Sequence, residues 1–160
     1  MSELERAIKL RETGQLEQAQ ELLLRLTTEF STDPAVWYQC AWVHDVMELE
    51  REAVPYYEQA LALGLDGEDR KGAYLGLGST YRTLGRYKKA AATLKQAMFE
   101  YPGNREFEVF YAMVLYNLED YKGAMERLLR QLAETSEDAG IRAYRKAILY
   151  YSDKLDDRWD

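Results

Sequence analysis

The 160-residue sequence predicts an all-α fold, in which four helix-turn-helix hairpins stack in chain order and a further helix closes the stack. Two observations carry this expectation. First, a small residue in the middle of one helix is followed twelve positions later by an alanine, four times over: Ala7 with Ala19, Ala41 with Ala53, Gly78 with Ala90, and Ala112 with Ala124. Successive pairs are offset by 34, 37 and 34 residues, so a single three-residue insertion accounts for the odd interval. A small residue at a crossing lets two helix backbones approach to about 8–10 Å while larger neighbours fill the flanking grooves. Second, start and stop signals divide the chain at intervals that suit helices of three to four turns.

Taken in order, Ser2 and Glu5 form a capping box for a first helix over about 3–13, and Gly14 ends it before a second over about 16–29. Asp33-Pro34 supplies an N-cap and a proline at the first helical position, opening a helix that runs to about Met47. Its partner covers about 50–63, with Pro55 inside its apolar pattern, where the missing N–H and the ring should bend the helix or delay its regular start. Gly64-Leu65-Asp66-Gly67 is the longest turn and the place for the insertion. The third hairpin spans about 69–84 and 87–100 and ends at Pro102-Gly103; Asn104 can cap the fourth, over about 105–118 and 121–134. A ninth helix follows Thr135-Ser136 and runs to about Lys154. Its stripe of Ile141, Tyr144, Ile148, Tyr151 and Leu155 suits packing on the last hairpin. Leu149 and Tyr150 lie off that stripe and read as a widening of its apolar face, with a self-association surface as the alternative. The whole forms one domain, 1–160, with repeats over about 1–33, 34–70, 71–104 and 105–135 and the closing helix over about 137–154.

The third copy reads Tyr74-x-x-Leu77-Gly78-x-x-Tyr81, then Gly85, Tyr87, Ala90, Leu94, Ala97 and Pro102, which resembles the tetratricopeptide (TPR) repeat. The second, with Trp37, Cys40, Ala41, His44, Ala53, Tyr57 and Ala60, and the fourth, with Tyr111, Ala112, Leu115, Tyr121, Ala124 and Leu128, follow it. The first is weakest, placing Glu3 and Arg6 where the others carry large apolar groups, as suits a terminal repeat with one neighbour. The strings His44-Asp45, Ala53-Val54-Pro55, Leu63-Gly64-Leu65 and Gly76-Leu77-Gly78-Ser79-Thr80-Tyr81-Arg82 are similar to the small stand-alone bacterial proteins of tetratricopeptide group 5. The resemblance implies a right-handed superhelix whose first helices line a concave face, and an interaction module without catalytic chemistry, homodimeric in one reading.

Composition agrees. Three prolines, ten glycines and 31% charged residues describe a helical protein rather than a disordered tail, and no apolar run reaches the roughly 20 residues that span a bilayer. The opening Met1-Ser2-Glu3-Leu4-Glu5 lacks the basic-then-apolar order of a signal peptide, so a cytoplasmic location is expected. A formal charge of −7 disfavours nucleic acid and favours a basic or apolar partner. The basic clusters around Arg82, Arg86, Lys88 and Lys89, and around Arg142, Arg145 and Lys146, read as solvated faces.

The family's groove-lining register selects Leu4, Ile8 and Arg11, then Tyr38, Trp42, Asp45 and Val46, then Leu75, Ser79, Arg82 and Thr83, and lastly Val109, Met113, Tyr116 and Asn117. This lining is apolar for a solvent-facing surface and suits an extended or helical peptide. Within it, Asp45, Ser79, Arg82 and Asn117 make a polar group. Either Asp45 pairs with Arg82, or Arg82 receives a ligand carboxylate that Ser79 and Asn117 orient. The clamp that chaperone-tail-binding TPR domains use is not matched: its positions hold Leu4, Ile8, Gln39, Gly72 and Gly76, or, one repeat on, Tyr38, Trp42, Gly76, Glu106 and Phe110, without the cations.

Catalysis, metals and cofactors are not expected. One histidine and one cysteine, no Gly-rich phosphate loop and no His-x-x-x-His pair leave the common constellations absent. Cys40 and His44, four apart, occupy the internal helix face, where a buried thiol and a carbonyl-bonded imidazole are the plain reading. The leading function is a peptide-binding adaptor, followed by a self-assembling homodimeric module. A small acidic TPR-type export chaperone comes third, because its characteristic mid-chain string is missing.

Overall fold

A computed structural model describes residues 1–160 and contains ten helices and no strand. They are α1 (Glu3–Glu12), α2 (Leu16–Glu29), α3 (Pro34–Val46), α4 (Glu50–Ala62), α5 (Gly67–Thr83), α6 (Tyr87–Glu100), α7 (Arg105–Asn117), α8 (Tyr121–Thr135), α9 (Ala139–Ala143) and α10 (Arg145–Tyr151). The chain divides within α6 into two compact units, Met1–Thr93 and Leu94–Asp160.

In the first unit, α1 packs on α2, α2 on α3, α3 on α4 and α4 on α5. The small pairs sit where the helices cross: Ala7, Ala19, Ala41 and Ala53 are all fully buried. Around the first pair, Leu22, Leu23, Leu26, Val36, Cys40 and Val43 close a core that Leu4, Leu10, Leu16, Met47 and Tyr56 flank. The capping box is present, with Ser2 Oγ accepting from the Glu5 N–H at 3.1 Å and the Ser2 N–H donating to Glu5 Oε2 at 2.6 Å. Asp33 Oδ1 caps α3 through the Ala35 N–H at 2.9 Å, with Pro34 in the first turn. Helix α4 runs through Pro55 and starts where the pattern places it, at Glu50, so the proline does not delay it. Helix α5 begins two residues earlier than expected, at Gly67, whose φ of +59° is open to glycine.

In the second unit, α7 packs on α8 and α10 on α8. Phe107, Ala112 and Val114 are fully buried, and Ala124 nearly so. Asn104 occupies the N-cap position of α7 but makes no cap bond; its amide donates instead to Glu106 Oε1 at 2.8 Å. The expected closing helix is broken in two. At Tyr144 (φ −105°, ψ 12°) the N–H bonds the Ile141 carbonyl, three residues back, which ends α9 before α10 begins. Of its predicted stripe, Ile141 and Ile148 are half-buried whereas Tyr144, Tyr151 and Leu155 are exposed.

Every hairpin turn is built alike. The amides of Gln15, Leu49, Arg86 and Asp120 bond the carbonyls of Leu10, His44, Tyr81 and Leu115, each five residues back, at 2.8–2.9 Å. Each turn passes through a left-handed residue: Gly14, Glu48, Gly85 and Glu119, with φ between 59° and 79°.

Candidate functional site: the α3 face of the first unit

Helix α3 is buried on most sides, and what it leaves to solvent is Trp42 and Val46, 36% and 48% exposed, with Asp45 half-buried between them. Residues three and four apart share a helix face, so these three side chains form one surface. Trp42 is held from two sides. The Arg11 guanidinium lies 3.6 Å from its ring centroid, and the Tyr38 ring lies 5.6 Å away at 37°. Arg11 is itself anchored, donating through Nη2 to the buried Gln39 Oε1 at 3.3 Å, and burial draws its pKa below the ordinary value. A guanidinium keeps its charge there, so the stack combines a cation–π contact with a fixed aromatic plane.

Below Trp42, Asp45 accepts from two hydroxyls, that of Tyr57 at 2.9 Å on Oδ2 and that of Thr80 at 3.2 Å on Oδ1. Burial raises the Asp45 pKa, and the two hydrogen bonds oppose that rise. Neutral donors therefore orient the carboxylate without cancelling its charge, leaving it suited to a ligand cation or N–H group. Two glycines make room for the rings. A Cβ at Gly76 would lie 2.5 Å from the Tyr57 hydroxyl, and one at Gly72 would overlap the Tyr38 hydroxyl. This explains why α5 carries glycine at both positions, and why Tyr38, selected as a groove residue, is instead buried as packing.

The other selected residues divide by unit. Leu4 packs against the core beneath α1, and Ile8, Leu75, Ser79 and Arg82 are half-buried. In the second unit, Val109 and Asn117 are half-buried, Met113 is exposed, and Tyr116 is exposed with its ring edge-on to Tyr121 at 5.2 Å. The anchoring roles of Gln39, Tyr57 and Thr80 escape a reading by repeat position, since each acts through a neighbouring helix.

Cys40 Sγ lies 3.8 Å from His44 Nδ1, but that nitrogen has a closer partner in a backbone carbonyl. His44 Nδ1 lies 2.7 Å from the Cys40 carbonyl, its Nε2 lies 3.1 Å from Gln20 Nε2, and its ring stacks on Tyr56 at 4.8 Å. Donation from Nδ1 to the carbonyl leaves Nε2 to accept from the Gln20 amide. Burial pushes the Cys40 thiol up to about 12, far from a thiolate nucleophile at neutral pH. No helix is long and apolar enough to cross a membrane.

A family profile described as "Tetratrico peptide repeat" (TPR_5) matches residues 34–155. The chain belongs to this tetratricopeptide repeat family. Solved structures agree on the fold. YrrB, described as a TPR protein with an unusual peptide-binding site, is 20% identical with a TM-score of 0.73, covering 95% of this chain and 77% of that one. A MamA structure (AMB-1) is 18% identical with a TM-score of 0.66, covering 98% of both chains. A tetratricopeptide repeat protein from Parabacteroides merdae is 19% identical with a TM-score of 0.72, covering 94% of this chain and 58% of that one. No curated protein matches the chain. TPR proteins are in general non-catalytic interaction modules, and this chain has the fold for that role.

Proposed function

We propose that the first unit is a peptide-binding adaptor surface that takes an amphipathic segment on the α3 face, burying an apolar side chain on Trp42 and Val46 and directing a basic or N–H group to Asp45. The observation that carries this reading is Trp42 itself. It is fixed by Arg11 and Tyr38, so little freedom is left to lose on binding, yet a third of it faces solvent. A tryptophan held in this way is the residue type that most often anchors an interface. The printed description of YrrB supports the class of ligand, since a peptide-binding site is named for that TPR protein.

The test is affinity capture from the native cytosol with wild type beside Trp42→Glu, followed by titration of the captured segment. A segment retained by wild type and lost by the variant, at unchanged far-ultraviolet circular dichroism, supports the reading. Equal retention by both removes Trp42 from the binding surface.

A further inference from the structure

The fourth hairpin leaves open the face that the other hairpins bury. In a repeat fold, equivalent positions should be covered alike, because each second helix is overlain by the first helix of the next hairpin. Leu23 and Leu94 are 0% exposed and Tyr57 is 2%, but Leu128, at the equivalent position of α8, is 38% exposed. Tyr121, Met125 and Leu132 are exposed beside it. Helix α10 does pack on α8, but against its other side. Ala133 is 1% exposed, where the equivalent Phe99 of α6 is 82% exposed and Ala62 of α4 is exposed as well. The closing segment thus covers what the other repeats leave to water, and leaves open what they cover.

We propose that a second copy of this chain occupies this face, α8 against α8, in a closed two-fold dimer. Three observations favour that occupant. Tyr121, Met125, Leu128 and Leu132 are spaced by four, three and four residues, the seam that packs against an identical seam in a two-stranded helix pair. The heterologous alternative, α1 of one copy stacked on α8 of the next, lacks an apolar mate. Where α3 and α7 present Val36, Cys40 and Val43, or Phe107, Tyr111 and Val114, α1 presents Ser2, Arg6 and Lys9, all exposed. Charge does not oppose self-pairing locally, because α8 carries Lys122, Arg127 and Arg130 against Glu126 and Glu134.

The patch also has the right size. Tyr116, edge-on to Tyr121, extends it at one end. Leu155 adds to the same end, across a cleft of about 440 Å³ that Tyr121 and Met125 line. Six half-exposed side chains of this size leave on the order of 600 Å² open, against about 800 Å² per partner in a standard interface that includes its polar rim.

Sedimentation equilibrium of the full chain, with Leu128→Glu and Trp42→Glu, tests the proposal. Wild type and Trp42→Glu are expected at twice the 18.6 kDa protomer mass, and Leu128→Glu at the protomer mass with native helicity. A wild type that stays monomeric at about 100 μM overturns it, whatever else binds the face. So does a Leu128→Glu dimer, or a mass that grows without limit with concentration, which is head-to-tail stacking. Should Leu128→Glu fail to fold, oxidation of Met125→Cys beside Arg130→Cys decides, the native Cys40 being buried. Faster disulfide dimerisation of Met125→Cys supports the seam, and equal rates reject it.

Discussion

At the scale of single residues, the first unit is organised around tyrosines whose hydroxyls are inside. Tyr57 donates to Asp45, and Tyr81 donates to Glu58. Burial is the leading cause that pushes Tyr38 and Tyr81 from 10.0 up to about 12, with the hydrogen bond to Glu58 adding to it at Tyr81, and burial carries Tyr57 higher still. The sign follows from which form the fold favours. The native chain keeps these phenolic protons between pH 10 and about 12, while the unfolded chain releases them, so the native state binds more protons and stability falls as pH rises. The contribution is complete below pH 10 and is lost towards 12. Urea midpoints measured between pH 9 and 11.5 should therefore decline steadily, and phenolate absorbance should show part of the thirteen tyrosines ionising only on unfolding. A flat midpoint across that window would mean that these hydroxyls are in contact with water.

At the scale of elements, the four hairpin turns share a hydrogen bond and a left-handed residue but not a residue type. Gly14 and Gly85 adopt that conformation freely, whereas Glu48 and Glu119 do so at a cost of roughly 1–2 kcal/mol. A glycine there would relieve the strain but add freedom to the unfolded chain worth about 0.5–1 kcal/mol. Glu48→Gly is thus expected to stabilise by roughly 0.5 kcal/mol, read as a rise in the urea midpoint at constant m-value. These turns also mark how far the sequence could be read. Ser2 with Glu5, Asp33 with Pro34 and the Ala or Gly pairs are local signals, and the helices they predict are present. Met47-Glu48-Leu49-Glu50 holds no turn residue, so its left-handed step comes from the packing of α3 on α4 and could be located only by the repeat period. The break at Tyr144 and the burial of Tyr38 under Gly72 likewise depend on neighbouring elements. The exposed Trp42 face was legible from repeat position, but its bracing by Arg11 and Gln39, on two helices, was not.

At the scale of the molecule, the two free hairpin faces are chemically unlike, and this difference separates a closed pair from an open fibre. A repeat fold carries at every hairpin the means to stack on another, so a chain with two apolar faces would polymerise head to tail. Here the first hairpin is blunted. Arg6 stands where Cys40, Leu77 and Tyr111 are buried, and Lys9 where Val43, Thr80 and Val114 are buried. Two long cations cannot enter an apolar seam without losing hydration, so α1 is a poor mate for the α8 face of another copy, whereas the proposed pairing sets that face against its own kind. Changing both at once, Arg6→Leu with Lys9→Val, removes the rejection and leaves the small-residue crossing at Ala7 in place. Sedimentation velocity of the double variant should show species beyond the dimer that grow with concentration, and adding Leu128→Glu should return it to the protomer mass. A double variant that sediments as wild type would mean that Arg6 and Lys9 are solvated surface charges, and that the asymmetry between the first and fourth hairpins does not govern assembly.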